Sequence, residues 1–244
     1  MKLTHADFVE AAARIAKAAG LPSCPAANIF AVVQVETPAP HVGDSARGPL
    51  ILNEAHKFYK LSGRLPVSRD YPALARRTWT PSLYCKGRTW EVRQACEHDK
   101  LRTKCSIYGG QLREAALKSV SMGLFQVLGE NHAMIGFPTV SAMWARAAVV
   151  DDRIDLFEFF VPFVIRAGLA RALCLGQWAT FARGYNGPGY KRNNYDVLLA
   201  RAARAYRPTT QVAALLAPLP LVPTATGFPD FSQAENPTGI VGIA

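Results

Sequence analysis

The sequence predicts a mainly helical fold with a small β element and an extended, proline-rich C-terminal tail. Three observations carry that expectation. Apolar residues recur at helical spacing through most of the first 206 residues. One short apolar run, Pro49-Leu50-Ile51-Leu52, is instead bounded by turn residues in the manner of a strand. From Arg207-Pro208 onward the periodicity stops, charge thins out, and proline becomes frequent. The expected organisation is one domain over residues 1–206 and a tail over 207–244 that cannot build its own core.

The elements follow in order. Thr4 is an N-cap candidate with Asp7 as its box partner, and Phe8, Ala12, Ile15 and Ala19 line one face of the first helix. Ala26 to Glu36 reads AANIFAVVQVE, apolar on nearly every side, and the prolines at 38 and 40 forbid its continuation. A loop over 41–48, the strand, and a short helix from Glu54 to Leu61 come next. Arg64 to Arg88 is rich in Pro, Arg and aromatics without a period and is expected to be an irregular basic loop. Helical spacing returns over Trp90–Cys105 and Leu112–Val120. Gly123 and Gly129 then frame a tight apolar segment. Further helices are expected over Thr139–Val149 and Ile154–Ala167, the latter kinked or broken at Pro162, then over Leu169–Leu175 and Trp178–Arg183. Asn194 stands where it can cap a last helix, Tyr195–Tyr206, with Val197, Leu198, Ala202 and Ala205 on its apolar face.

Twenty-eight Lys and Arg against 18 Asp and Glu give a formal charge of +10. Such a surface favours polyanions, whether nucleic acid, anionic lipid or a cell-wall polymer. The basic residues follow no known nucleic-acid reading motif. The first twenty residues lack the continuous apolar core of a signal peptide, and no stretch is long and apolar enough to span a bilayer. Five cysteines without a CxxC pair read as free or buried thiols, with Cys85 and Cys105 a conceivable bridge or metal pair around a basic helix. No His/Asp ligand cluster and no phosphate-binding glycine loop stands out, so no cofactor is expected.

One residue has chemical promise on physical grounds alone. Glu36 closes an apolar helix, and a carboxylate held against apolar packing is disfavoured in its charged form. That is one way to keep a general acid protonated near neutral pH. The plainer reading is a solvated glutamate at a helix end.

Four segments decide between the two. VQVET (residues 33–37), ILNEAHKFY (51–59), SMGLFQVLGENHAMIGF (121–137) and FARGYNGPGY (181–190) occur in this order. Together they resemble the phage and bacterial N-acetylmuramidases, peptidoglycan-degrading domains with a lysozyme-like helical fold. The resemblance covers about residues 4–206, and the tail has no counterpart in it. It implies cleavage of the β-1,4 bond between N-acetylmuramic acid and N-acetylglucosamine in peptidoglycan glycan strands, with Glu36 as the acid that protonates the departing sugar oxygen. Glu54 matches the glutamate of the second segment and is the candidate second carboxylate, able to stabilise positive charge or to hold water as a base; its plainer role is an ion pair with an arginine. A carboxyl separation of about 5–5.5 Å goes with retention of configuration and about 6.5–9.5 Å with inversion.

His56 can bond Glu54 or a sugar, or be structural. Gln126 can turn its amide toward a glycan or satisfy local backbone. The resemblance implies a cleft position for Tyr185 and Asn186, where Tyr185 can stack on a sugar or bond the acid, and Tyr190 packs the turn. Asn131 and His132 read as a helix-entry cap and a core histidine. The chain departs from the family pattern at Met122 (for tryptophan), Asn53 (for phenylalanine), Ala55 (for arginine) and in the stiff Pro38-Ala39-Pro40 after the glutamate.

Other functions remain open at this point. A lytic transglycosylase cuts the same bond with one glutamate and closes the muramyl ring. A virion protein could use the same scaffold for assembly or wall attachment, with residues 207–244 contacting phage virion partners. The expected location is the host cytoplasm before release to the cell wall or periplasm, or carriage in the phage virion.

Overall fold

The computed structural model describes residues 2–37, 48–63, 65–87 and 89–208. The stiff segment 38–40, nearly all of the 41–48 loop and the tail beyond Pro208 lie outside the described residues. The chain divides into two compact units, one drawn from Met1–Val42 and Asp151–Ala244, the other from Gly43–Val150.

The first unit opens with α1 (His5–Ala18) and α2 (Ala26–Glu36). The Thr4 hydroxyl accepts from the Asp7 backbone N–H while the Asp7 carboxylate accepts from the Thr4 N–H, so the expected capping box is formed. Phe8 and Ile15 of α1 are fully buried. In α2 the run Asn28–Gln34 is buried all round, which is why its sequence shows no polar face.

The second unit contains β1 (Ile51–Asn53), α3 (Ala55–Leu61), α4 (Leu65–Asp70), α5 (Trp90–Ser106), α6 (Arg113–Lys118), β2 (Val120–Met122), β3 (Val127–Leu128) and α7 (Val140–Ala147). The sheet is antiparallel in the order β1-β2-β3, with Ile51 opposite Met122 and Asn53 opposite Val120. The segment expected to be featureless over 64–88 contains α4 and a 3₁₀ turn at Pro81–Leu83. These pieces are too short to show a period in sequence. Val120, expected to end a helix, is instead the first residue of the central strand. Gly129 has a packing reason: a Cβ there would meet the Leu117 carbonyl and Met122.

The chain returns to the first unit with α8 (Asp152–Ile154), a π-helical stretch (Asp155–Phe160), α9 (Val161–Arg166), α10 (Ala170–Cys174), α11 (Trp178–Asn186) and α12 (Tyr195–Ala205). The break expected at Pro162 is a wide π turn followed by a fresh helix start, where the missing N–H of proline needs no partner. Helix α12 packs on α2. Its buried side chains are Tyr195, Leu199 and Ala202, while Val197 and Leu198 are exposed. The expected face was therefore rotated, because Tyr195 anchors the helix inward. Asn194 does precede α12, but it takes a left-handed conformation and makes no side-chain cap bond. Beyond α12, Tyr206 is held by the Phe30 ring at 4.9 Å and by His5, whose Nδ1 lies 2.5 Å from its hydroxyl.

The structure corrects the cysteine expectation. Cys85 is bridged to Cys96, with Cα atoms 5.9 Å apart, and Cys105 is free. The bridge ties the loop before α5 to a point one and a half turns inside that helix. Sequence spacing could not select it, since connectivity follows from which Cβ atoms face each other.

Candidate functional site

Glu36 is the last residue of α2, and the chain leaves the helix through Thr37, whose N–H donates to Val33 O at 2.8 Å. The helix body before it is buried, so its final turn is held within the first unit and the carboxyl with it. Burial raises the Glu36 pKa from 4.5 to about 8, against a hydrogen bond from Asn186 that pulls it down. The negative end of the helix dipole acts in the same direction as burial. Glu36 is thus a carboxylic acid that keeps its proton at neutral pH.

Asn186 and Tyr185 are the last two residues of α11, which ends at Gly187 with φ 82°. That helix end brings the Asn186 amide to Glu36. Tyr185 sits among aromatic rings, stacked on Phe181 at 5.1 Å and edge-on to Phe163 at 5.4 Å. One ring face is therefore occupied by Phe181 rather than offered to a sugar. Burial, with the charge of Glu36, holds its hydroxyl protonated well above the usual tyrosine range. Tyr190 is buried in the following 3₁₀ turn, as packing for it.

The second unit places Glu54 between β1 and α3. Its N–H donates to Ser119 O at 2.9 Å, which continues the β1–β2 pairing by one bond. Although it stands at the N-cap of α3, its side chain makes no capping bond. The carboxylate instead accepts from the Tyr84 hydroxyl at 3.0 Å, and that hydroxyl accepts from Trp79 Nε1 at 2.7 Å. His56 Nδ1 approaches the same oxygen to 3.4 Å without hydrogen-bond geometry. Desolvation raises the Glu54 pKa to about 7, opposed by the Tyr84 bond and by Lys104 and Lys57. Desolvation and the nearby lysines lower His56 to about 4, so it is neutral at pH 7 and its contact with Glu54 is not an ion pair. The partners of Glu54 are thus a tyrosine and a neutral histidine rather than the arginine of the plainer reading.

A polar layer supports this arrangement. Asn53 donates its side-chain amide to Glu97 Oε2 at 2.8 Å and to Glu97 O at 2.7 Å. Glu97 Oε1 accepts from the Cys85 N–H at 2.9 Å. Together with the Cys85–Cys96 bridge, Glu97 fixes the loop that carries Tyr84, and so fixes the donor to Glu54. Lys104 is almost wholly buried, lies 4.8 Å over the Phe58 ring, and its Nζ makes no hydrogen bond. Desolvation lowers its pKa to about 7. Lys104, His56, Asn53, Trp79 and Tyr84 line a small cavity with room for about one water molecule.

Gln126 lies in the β2–β3 turn with φ 48° and donates its side-chain amide to Gly123 O at 2.8 Å. Its donor is engaged with local backbone. His132 is half-buried, with Nδ1 3.1 Å from Gly129 O, and Asn131 closes a 3₁₀ turn rather than opening a helix. Of the six residues singled out in the sequence, the structure brings Glu36, Tyr185 and Asn186 together in the first unit and Glu54 and His56 together in the second.

The sequence profile of the N-acetylmuramidases matches residues 25–207. The chain belongs to the N-acetylmuramidase family. Among solved structures, the Burkholderia AP3 phage endolysin is similar to it: 32% identical, with a TM-score of 0.63, over 83% of this chain and 69% of that one. No curated protein sequence matches it. The muramidase is accordingly a peptidoglycan hydrolase of the glycoside hydrolase type, with a mainly helical, endolysin-like fold. Among its described residues no helix is long and apolar enough to cross a membrane.

Within this muramidase, the departures from the family pattern have structural counterparts. Met122 is fully buried in the central strand, Asn53 exchanges a ring for bonds to Glu97, and Ala55 lines the small cavity. Sequence reading missed Tyr84, Trp79, Glu97 and Lys104. The aromatic pair in the stretch WTPSLYC was the available signal, since a tryptophan and a tyrosine inside a polar basic loop need an apolar or hydrogen-bonded place to go.

Proposed function

We propose that this muramidase hydrolyses the β-1,4 bond between N-acetylmuramic acid and N-acetylglucosamine, with Glu36 as general acid. The observation that carries the proposal is the raised pKa of Glu36 together with its hydrogen bond to Asn186. Glycoside cleavage needs a proton on the leaving oxygen while the sugar ring gains positive charge. Glu36 holds that proton at neutral pH, Asn186 orients the carboxyl, and Tyr185 lies close enough to feel its charge. Glu54 is proposed as the second carboxylate. With a pKa of about 7 it is ionised in a large share of molecules, as stabilising a cation or activating water requires, and Tyr84 holds its orientation.

The Cys85–Cys96 bridge supports action outside the reducing cytosol, at the cell wall or in the periplasm, where disulfides persist. The positive charge favours approach to anionic wall and envelope surfaces.

The test is reducing-end release from purified peptidoglycan by the wild type and Glu36→Gln, with product masses read afterwards. Hydrated muramyl ends that disappear in the variant support the proposal. Anhydro ends would reassign the enzyme to the lytic transglycosylases, and no release by folded wild type would leave a binding scaffold. The anomer formed first, read by NMR, separates nucleophile from base for Glu54.

A further inference from the structure

Two of the three free thiols touch each other. Cys24 lies between α1 and α2 and is partly exposed, and Cys174 is the buried last residue of α10. The Cys24 S–H donates to Cys174 Sγ. The backbone around them is clamped. Asn28, buried in the first turn of α2, donates its side-chain amide to Leu173 O at 2.7 Å and to Cys174 O at 3.4 Å. Helix α10 also packs against α1 and α2. The two cysteines are therefore held as neighbours by fixed elements of a single unit, and a disulfide requires such proximity.

We infer that Cys24 and Cys174 are a second intrachain disulfide site, closed by thiol–disulfide exchange once the chain meets an oxidising disulfide. The Cys24 thiolate attacks a sulfur of the oxidant and expels one thiolate, forming a mixed disulfide. The Cys174 thiolate then attacks Cys24 Sγ and expels the second. The protein loses two protons and two electrons, and the oxidant leaves as two thiols. Burial raises both thiols above the usual cysteine range, so exchange is slow at neutral pH and the pair stays reduced in a reducing cytosol. The consequence is mechanical. The bond ties the segment leading into α2 to the end of α10, anchoring the start of the helix whose last residue is Glu36.

The experiment uses the full chain with the Cys85–Cys96 bridge intact and a Cys105→Ser background, so that only Cys24 and Cys174 carry thiols. The protein is treated with oxidised glutathione at about pH 8.5, where more thiolate is present. It is then denatured, alkylated with a maleimide and mapped by mass spectrometry without reduction. The expected result is loss of both alkylation sites, a Cys24–Cys174 linked peptide, and a Tm higher by about 5 °C or more than the untreated form. Cys24→Ser on the same background should keep one alkylation site and lose the Tm gain. Two sites still alkylated after oxidation, or glutathione retained on Cys24 with Cys174 free, would overturn the inference. Cys24→Ser is the informative variant, because Cys24 is at the partly exposed side and Cys174 is in the core.

Discussion

Replacing Glu36 by glutamine tests the acid directly, and two independent readouts follow from one pKa. At pH 7 a carboxyl with a pKa of about 8 is protonated in about 90% of molecules, whereas one at 4.5 is protonated in about 0.3%, a difference of about 300-fold in available acid. Glutamine keeps the size and an oxygen acceptor for Asn186 but cannot give up a proton. Turnover should fall by about 10²–10⁴-fold while the fold is retained. Wild-type activity should hold through neutral pH and decline as pH rises past about 8.

Stability should move the other way. The folded pKa lies above the unfolded one, so between pH 4.5 and about 8 the native state holds a proton the unfolded chain has lost. Stability therefore falls as pH rises through that window. Each pKa unit corresponds to about 1.4 kcal/mol, and Glu36 is partly exposed, so the cost at pH 8 is on the order of a few kcal/mol at most. Glu36→Gln removes that cost. Its Tm gain over wild type should be clearly larger at pH 8 than at pH 5, measured by thermal unfolding in matched buffers. An alkaline activity limb near pH 5, or a Tm gain independent of pH, would refute the account of a desolvated acid.

Other expectations concern the second unit. Tyr84→Phe removes the donor that favours ionised Glu54, so the Glu54-dependent limb of the pH–rate profile should move up, with about 1 kcal/mol lost in chemical denaturation. An unmoved profile would mean that Tyr84 is only structural. Cys96→Ser should cost about 2–4 kcal/mol and lower activity by loosening the Tyr84 loop, with the wild type in reductant behaving alike. Gly129→Ala should cost more than about 2 kcal/mol, because a methyl there meets backbone at Leu117 rather than a movable side chain; expression yield and Tm report it. Lys104→Met should stabilise the protein more at pH 6 than at pH 10. The folded pKa lies below the unfolded one, so wild-type stability rises with pH from about 7 toward 10.5, and the penalty of burying the charge is greatest below that window.

Much of this molecule is written locally. Helix α2 is legible because its apolar run has no polar face and prolines follow it. The Thr4–Asp7 cap is legible because its partners are three residues apart. The promise of Glu36 could be raised from those features, but a helix-end glutamate can equally be solvated, and its desolvation depends on what packs against it. The four motif segments added Glu54, His56, Gln126, Tyr185 and Asn186 by resemblance.

Tertiary structure decided what depends on meetings between distant segments. Val120 is a strand residue because Asn53 pairs with it from far away in sequence, and no local preference encodes that neighbour. The outward turn of Val197 and Leu198 followed from the burial of Tyr195 and Leu199 on α2. Cys85 paired with Cys96 rather than Cys105 because of the rotation of α5 relative to the preceding loop. Tyr84 became the donor to Glu54 through that same bridge and Glu97. Local patterns determine where helices start, stop and bury themselves, because those energies act within a few residues. Which side chain reaches a carboxylate is set by packing between elements, where a shift of one residue in register or a fraction of a turn exchanges one partner for another.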